Sequence, residues 1–341
     1  MTTCYLGAAV QCLAHCPGFV RALLTTPALH QQQQAPPGGD QRLNARVVGL
    51  ALKRLVTSMW TSPRRVGPGA ADPSALVAAL SPGLHRAGAG SALQENDAHE
   101  ACLMLLDAAL TAEGGHAGGP VRRAVEGRVR TVLRCEACDA ESSRQEPFTV
   151  LLLPLPEGQH SSSVLSLLRE SLAPERLHGF RCEACGRREG TAARVPSLSA
   201  LPETLLLCVQ RTRPDGDVDR TAVAADEALA FAVPAAASSS SASGGGRPQL
   251  RSPSRSPSRS PSRPQQPRLD YQLVAVVCHA GHAGRGGHYV TVARRPGSGV
   301  WDLHDDDRTT TVGDAGEACP GAFARSGYVY AYARQDYFFS G

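Results

Sequence analysis

Two cysteine pairs, Cys135-x-x-Cys138 and Cys182-x-x-Cys185, constrain this chain more than any other feature. Each spacing turns two thiols inward, and two such turns facing one another offer the four thiolates of a tetrahedral zinc site. A shared ion would pin together two segments that are distant in sequence. A disulfide or a redox pair is the alternative, but the eleven cysteines are an odd number and several stand alone inside apolar segments. That usage, with no thioredoxin-like pattern, points to reduced thiols and metal. A four-cysteine shell leaves no open position for water, so the Zn²⁺ is expected to be structural.

The two flanks of this element differ. From Cys4, the spacing of Leu6, Val10 and Leu13 predicts a helix that Pro17-Gly18 interrupts, and a shorter apolar turn through Val20, Leu23 and Leu24 ends before Pro27. A polar stretch, Gln31–Asp40, precedes a second helical pattern through Leu43, Val47, Leu50 and Met59. Asp72-Pro73 reads as a cap and first-turn proline. Asp97-x-x-Glu100 has the form of a capping box, opening a helix whose stripe is Cys102, Leu106 and Leu110. Residues 1–115 are thus expected to be mostly helical. Beyond His116–Gly119, Val129, Thr131 and Leu133 are interleaved with Arg128, Arg130 and Arg134 as in a half-buried strand. Further strands are expected at Phe148–Leu153, Leu205–Gln210, Tyr271–Cys278, His288–Ala293 and Tyr328–Tyr332, with a short helix through Val164, Leu165 and Leu168. Residues 234–268, rich in Ala, Ser, Gly and Pro with a repeated Arg-Ser-Pro-Ser unit, have too little apolar content to order and read as a disordered insertion. A phosphorylated or RNA-associated motif is the other reading of that run.

A hydrophobic content of 42% over 341 residues is enough for one large core. The formal charge of +4 owes much to the arginine-serine run, so no specific nucleic-acid partner is expected. No apolar run reaches the roughly 18 residues of a membrane span; Phe148–Leu155 and Leu273–Cys278 read as buried strands. The N-terminus lacks a signal-peptide pattern. These features predict a soluble monomer of a reducing compartment, in the cytoplasm, the nucleus or both, with no membrane partner.

Three residues carry the candidate chemistry. Cys4 opens a helix, where free N–H groups and the positive dipole end favour a thiolate. Gly286-Gly287-His288 puts an imidazole at the start of a strand beside glycine-rich backbone, suited to take the cysteine proton and return it to a leaving amine. Asp305, Asp306 and Asp307 follow one strand later and can orient that ring. The order Cys, His, Asp is that of papain-like thiol chemistry. Each residue alone has a bland reading: a packed cysteine, a surface histidine, a solvated turn. His279 and His282 form a His-x-x-His with no convincing further ligand except Cys278, and read as loop residues. Cys12, Cys16, Cys102, Cys208 and Cys319 read as packing or incidental residues.

The combination is more specific. Thr3-Cys4-Tyr5-Leu6 with Gln11-Cys12-Leu13 resembles the cysteine box of ubiquitin-specific proteases. Tyr271–Val277, leading to Gly287-His288-Tyr289-Val290 and Trp301-x-x-x-Asp305-Asp306, resembles their histidine box. Asn96-Asp97-Ala98-His99-Glu100 with Leu105-Leu106 is similar to the glutamine-aspartate box. Leu201-Pro202 through Leu205-Leu206-Leu207 and Arg211 is similar to the strand before the insertion, and Tyr328–Ala333 to the terminal strand. Five blocks in family order span essentially the whole chain outside the insertions. The resemblance implies one catalytic domain, α+β and papain-like, with a helical thumb (1–115), and zinc-tied β fingers with a β-rich palm (116–233 and 269–341). It implies a thiol-dependent deubiquitinase that cleaves after the last glycine of ubiquitin, with ubiquitin and ubiquitinated proteins as partners. Cys4 would be the nucleophile, His288 the base, and Asp305 with Asp306 the carboxylates beside it. Asp97, Glu100, Gly286 and Gly287 would line the passage for ubiquitin's C-terminal tail, whose arginines pair with carboxylates.

The family pattern places a Gly-Asn before Thr-Cys and a polar oxyanion donor further upstream, whereas Met1 stands three residues before Cys4. Losing one such donor typically costs about 10²–10³ in rate. Either coding sequence extends upstream, or the Cys4 N–H and a substitute such as Asp306 take the role. The rival readings are a catalytically impaired relative that binds ubiquitin and a zinc-ribbon interaction protein without thiol chemistry. Gly7, Cys208, Thr212 and His304 also depart from the usual residues, as drift in packing.

Overall fold

The computed structural model describes residues 3–26, 41–61, 72–86, 97–114, 118–158, 160–213, 217–232, 268–280, 287–314, 319 and 321–337. Helix α1 (Cys4–Ala14) is followed by α2 (Pro17–Thr25), where Pro17 takes the first helical position because its missing N–H would be unpaired there anyway. Helices α3 (Gln41–Thr61), α4 (Ser74–Arg86) and α5 (Ala98–Ala112) complete the expected helical layer. Asp72 accepts from the Ser74 N–H at 2.9 Å just before α4. The short α6 (Pro120–Val125) is capped from outside, since buried Glu113 accepts from the N–H groups of Val121 at 2.7 Å and Arg122 at 3.2 Å.

Strands then follow as β1 (Gly127–Cys135), β2 (Glu141–Phe148), β3 (Val150–Pro154) and β4 (Ser161–Ser163). After α7 (Val164–Ser171) come β5 (Glu175–Phe180), β6 (Gly190–Ala200), β7 (Thr204–Gln210), β8 (Ala222–Ala224) and β9 (Ala228–Ala232). The last group is β10 (Arg268–Ala280), β11 (His288–Arg294), β12 (Trp301–Asp305), β13 (Arg308–Gly313) and β14 (Gly327–Arg334). The expected insertion lies outside the described residues except for Arg268, which pairs with Ala232 where β9 and β10 meet.

Among the described residues these strands form two main sheets. The central one has the order β13-β12-β11-β10-β14-β7-β3, with β9 added alongside β10. Its strands divide their side chains by the two-residue period of a strand. On β7, Leu206 and Cys208 face the core built with α1, α3 and α5, while Leu205, Leu207 and Val209 face the core under α7. On β14, Val329, Ala331 and Ala333 go to the helical side and Tyr330 and Tyr332 to the other. Both faces are covered, which is why these strands read as continuous apolar runs. Each fully buried leucine is worth about 1.5–3 kcal/mol of transfer energy.

The second sheet, β2-β1-β6-β5, is different in kind. Every residue from Glu141 to Pro147 in β2 is exposed. β1 and β6 run antiparallel with Cys135 opposite Ala192, so both cysteine turns emerge from the same end. The polar strands β2, β5 and most of β6 have no apolar periodicity, and the sequence reading did not foresee them. The expectation of a buried strand at Phe148–Leu155 needs correction, because Leu153 is fully buried but Leu152 is 42% exposed on the terminal strand β3. No helix among the described residues is long and apolar enough to cross a membrane.

Candidate active site

Cys4 is the first residue of α1 and is buried. Thr3 at the N-cap makes no side-chain cap bond, so no side chain of Thr3 competes for the first-turn N–H groups around the thiol. These groups and the helix dipole favour negative charge on an oxygen held beside them. Helix α1 lies on the face of β11, where the Thr291 hydroxyl donates to the Ala8 carbonyl at 2.8 Å. Cys4 stands about one helical turn before Ala8, near enough to Tyr289, the second residue of β11, to act on its hydroxyl electrostatically.

His288 Nε2 and Asp305 Oδ1 are 2.5 Å apart, with both side chains a little under half exposed. This contact holds the ring through Nε2 and leaves Nδ1 for another partner. The carboxylate of Asp306 also lies within 4.8 Å of both groups. Asp305 pairs with Arg308 across the tight β12–β13 turn, so Asp306 and Asp307 form its tip. Asp306 has φ +50°, a left-handed conformation that aspartate tolerates better than most side chains. The expected His288–Asp305–Asp306 group is therefore assembled. No hydrogen bond joins the Cys4 thiol to His288 among the described residues.

Asp97 and Glu100 play unequal parts. One Asp97 oxygen accepts from the His99 N–H at 2.6 Å, and the other accepts from the Tyr328 hydroxyl. Glu100 is exposed in the first turn of α5 and makes no bond back to Asp97, so the expected capping box is only half formed. Burial, with Cys208 and Asp97 beside it, raises the Tyr328 pKa and keeps it a donor. The Tyr289 ring packs on His279 at 4.6 Å between centroids and on Tyr328 at 6.2 Å. Its hydroxyl is also held protonated, by burial first, then by Asp97, with Cys4 contributing. Asp97, Tyr289 and Cys4 thus share one neighbourhood.

Gly287 sits against this cluster. A Cβ there would collide with the His279 imidazole, so any side chain at 287 would displace that ring. Gly286 and His282 lie outside the described residues. His279 is not a loop residue as expected but part of β10, where its N–H donates to the Ser326 carbonyl at 2.8 Å. Burial lowers its pKa, partly opposed by Asp97. The contacts of His279 with Gly287 and Tyr289, and of Tyr328 with Asp97, were not legible in the sequence, because contacts across a sheet leave no local pattern.

At the far end of the second sheet, the thiols of Cys135, Cys138, Cys182 and Cys185 all lie within 4.8 Å of one another, and none forms a disulfide. Cys138 Sγ and Cys182 Sγ are 3.7 Å apart. Four Zn–S bonds of about 2.3 Å in a tetrahedron space the sulfurs about 3.8 Å apart. The two turns are built alike: the residue after each second cysteine, Asp139 at φ +55° and Gly186 at φ +69°, is left-handed. The donor set fits a structural zinc ion.

Residues 1–332 match the family model described as ubiquitin carboxyl-terminal hydrolase. The chain is 25% identical over 190 residues to the probable ubiquitin carboxyl-terminal hydrolase 4 of Schizosaccharomyces pombe, covering 55% of this chain and 28% of that protein. It is 23% identical over 322 residues to the ubiquitin carboxyl-terminal hydrolase 17-like protein B of Mus musculus, covering 91% of this chain and 58% of that protein. For the first matches the chain spans about a quarter of the relative's length, 28% and 23%. Among solved structures, the SAGA Ubp8/Sgf11/Sus1/Sgf73 DUB module bound to ubiquitin aldehyde has the same fold, with a TM-score of 0.69 at 16% identity over 98% of this chain and 68% of that one. The same module bound to monoubiquitin gives 0.70 at 16% identity, over 98% and 67%. With the cysteine-first helix, the histidine strand and the cysteine-tipped sheet all inside the matched span, the chain belongs to the ubiquitin carboxyl-terminal hydrolase family.

Proposed function

We propose that this chain is a thiol-dependent deubiquitinase that hydrolyses the isopeptide or peptide bond after ubiquitin's C-terminal glycine. The observation that carries the reading is the His288–Asp305 pair at the start of β11, beside a helix that begins on Cys4. Two structures of the same fold hold monoubiquitin and ubiquitin aldehyde, which supports ubiquitin as the partner.

In this reading the Cys4 sulfur attacks the glycine carbonyl while His288, through Nδ1, takes the thiol proton. The oxyanion is met by first-turn N–H groups of α1. His288 then gives its proton to the leaving lysine amine, an acyl-enzyme forms on Cys4, and His288 activates water to release ubiquitin. Asp305 fixes the ring and stabilises the imidazolium, with Asp306 as a second nearby carboxylate. An ionised Asp306 accepts hydrogen bonds and donates none, so the N–H groups are the better oxyanion donors. Both oxygens of Asp97 already have internal donors, which leaves exposed Glu100 as the carboxylate for an arginine of the ubiquitin tail. Gly287 keeps the passage beside His279 and Tyr289 low enough for a diglycine.

Cys135, Cys138, Cys182 and Cys185 would hold the Zn²⁺, which supplies a structural tie and no reaction step. A reduced four-thiol site fits the cytoplasm or nucleus. The test is cleavage of a ubiquitin–lysine conjugate by the purified chain and by Cys4→Ala. Loss of cleavage in the variant, with ubiquitin binding retained, supports the reading; a variant that still cleaves sinks it. A folded wild-type protein that binds ubiquitin without cleaving would leave the binding-module reading.

A further inference from the structure

We propose that Thr291 is a positioning residue for this reaction: its hydroxyl sets where the helix carrying Cys4 sits against the strand carrying His288. The inference rests on the thiol-protease reading above.

Thr291 is fully buried, three residues after His288 in β11, and its Oγ1 donates at 2.8 Å to the carbonyl of Ala8, four residues after Cys4 in α1. The bond thus stands about 6 Å along the helix from the nucleophile and about 10 Å along the strand from the base. Its buried neighbours include small groups, Ala8 and Ala9 on the helix and Ala293 on the strand, with the Tyr289 ring two residues before it on the same face of β11. Packing of such groups is non-directional, so a small slide of α1 along β11 changes little buried area. A hydroxyl–carbonyl bond is different, because it holds only between about 2.5 and 3.0 Å and weakens steeply off line. In a site closed to water, losing it strands a hydroxyl with no replacement partner. The Ala8 carbonyl has a second lone pair for this donor beyond its helical bond. A misplacement of about 1 Å between reacting groups can cost roughly 10²-fold in rate.

The bland alternative is that a β-branched residue suits a strand and its hydroxyl merely needed an acceptor. The two accounts separate with Thr291→Val, which keeps the shape and removes the donor, and Thr291→Ser, which keeps the donor. The full chain is assayed with a fluorogenic ubiquitin C-terminal amide for kcat and KM. The rate of Cys4 alkylation by iodoacetamide is followed by mass spectrometry, and melting temperature and zinc content are recorded. Positioning predicts that Thr291→Val retains its fold and zinc, loses roughly 10- to 100-fold in kcat with KM within about twofold, and alkylates more slowly at Cys4. Thr291→Ser should recover both rates. A Val variant whose folded fraction keeps wild-type kcat and alkylation rate overturns the proposal, whatever its melting temperature. Should the wild-type chain fail to turn over the ubiquitin amide, the functional reading fails instead. The alkylation rates of the Val and Ser variants still decide whether Thr291 governs Cys4.

Discussion

The two sheets of this protein reach order by opposite means. The inner strands of the central sheet are buried on both faces, with Leu205, Leu206, Leu207, Val329, Tyr330 and Tyr332 all inaccessible. The β2-β1-β6-β5 sheet is open to solvent along much of its length, and its two hairpins are joined by the β1–β6 ladder and, at their tips, by the four-thiol cluster. Apolar burial distributes stability over many side chains, whereas a metal tie concentrates it in one site. A thin sheet can therefore stay polar if an ion ties its far end.

The largest expected effect follows from removing the zinc ion that the four thiols are proposed to hold. Structural zinc contributes about 10–16 kcal/mol of apparent binding energy in small zinc-finger peptides at pH 7. A strong chelator should therefore strip hydrogen-exchange protection from β1, β2, β5 and β6 while β7, β10 and β14 keep theirs. Simultaneous loss in both sheets, or in neither, would break the contrast.

Next in size is Leu207→Ala in the centre of the buried sheet. Deleting a fully buried leucine side chain costs about 2–5 kcal/mol, to be read from urea unfolding at fixed zinc. A cost below about 1 kcal/mol would mean that this sheet does not depend on packing as described.

A smaller effect of opposite sign is expected at His304, on the helix-facing side of β12. Its Nε2 is buried with no hydrogen-bond partner, and its ring lies 5.0 Å from that of His15 at the end of α1. Burial first, then His15, lowers its pKa to about 4. The unfolded chain, with a histidine near 6.5, then binds the proton more readily, so stability falls as pH drops from about 6.5 toward about 4. His304→Phe should raise stability by about 1–3 kcal/mol through loss of the orphaned nitrogen, and flatten that pH dependence in thermal melts. An unchanged slope would remove His304 from the account.

The smallest effect belongs to the open sheet. Arg144 and Glu146 form an ion pair with side chains 80% and 55% exposed. Replacing both with alanine should change stability by less than about 0.5 kcal/mol. A larger change in the unfolding midpoint would show that solvent-facing side chains help hold this sheet after all.

The same contrast explains what the sequence could disclose. Leu205–Gln210, Tyr271–Cys278 and Tyr328–Tyr332 were legible as strands because burial on both faces leaves continuous apolar runs. Glu141–Phe148 and Glu175–Phe180 carry no such signal, since neither face needs to be apolar, and only the cysteine turns and the alternation of Val129, Thr131 and Leu133 betrayed that region. The helices announced themselves by spacing and by breakers such as Pro17. At the site, Cys4, His288 and Asp305 were legible as residue types in a characteristic order, although their proximity was not. The partners that tune the site, Tyr328 on Asp97 and Thr291 on Ala8, lie 231 and 283 residues away in sequence and could be found only in the fold.

The most direct test of the central claim is covalent capture. The purified chain is incubated with ubiquitin bearing a C-terminal thiol-reactive group, and the attachment site is mapped by mass spectrometry. The account predicts one adduct, at Cys4, formed at least about 10²-fold more slowly in His288→Ala. Labelling at another cysteine, or equal labelling of Cys4 without His288, would contradict it.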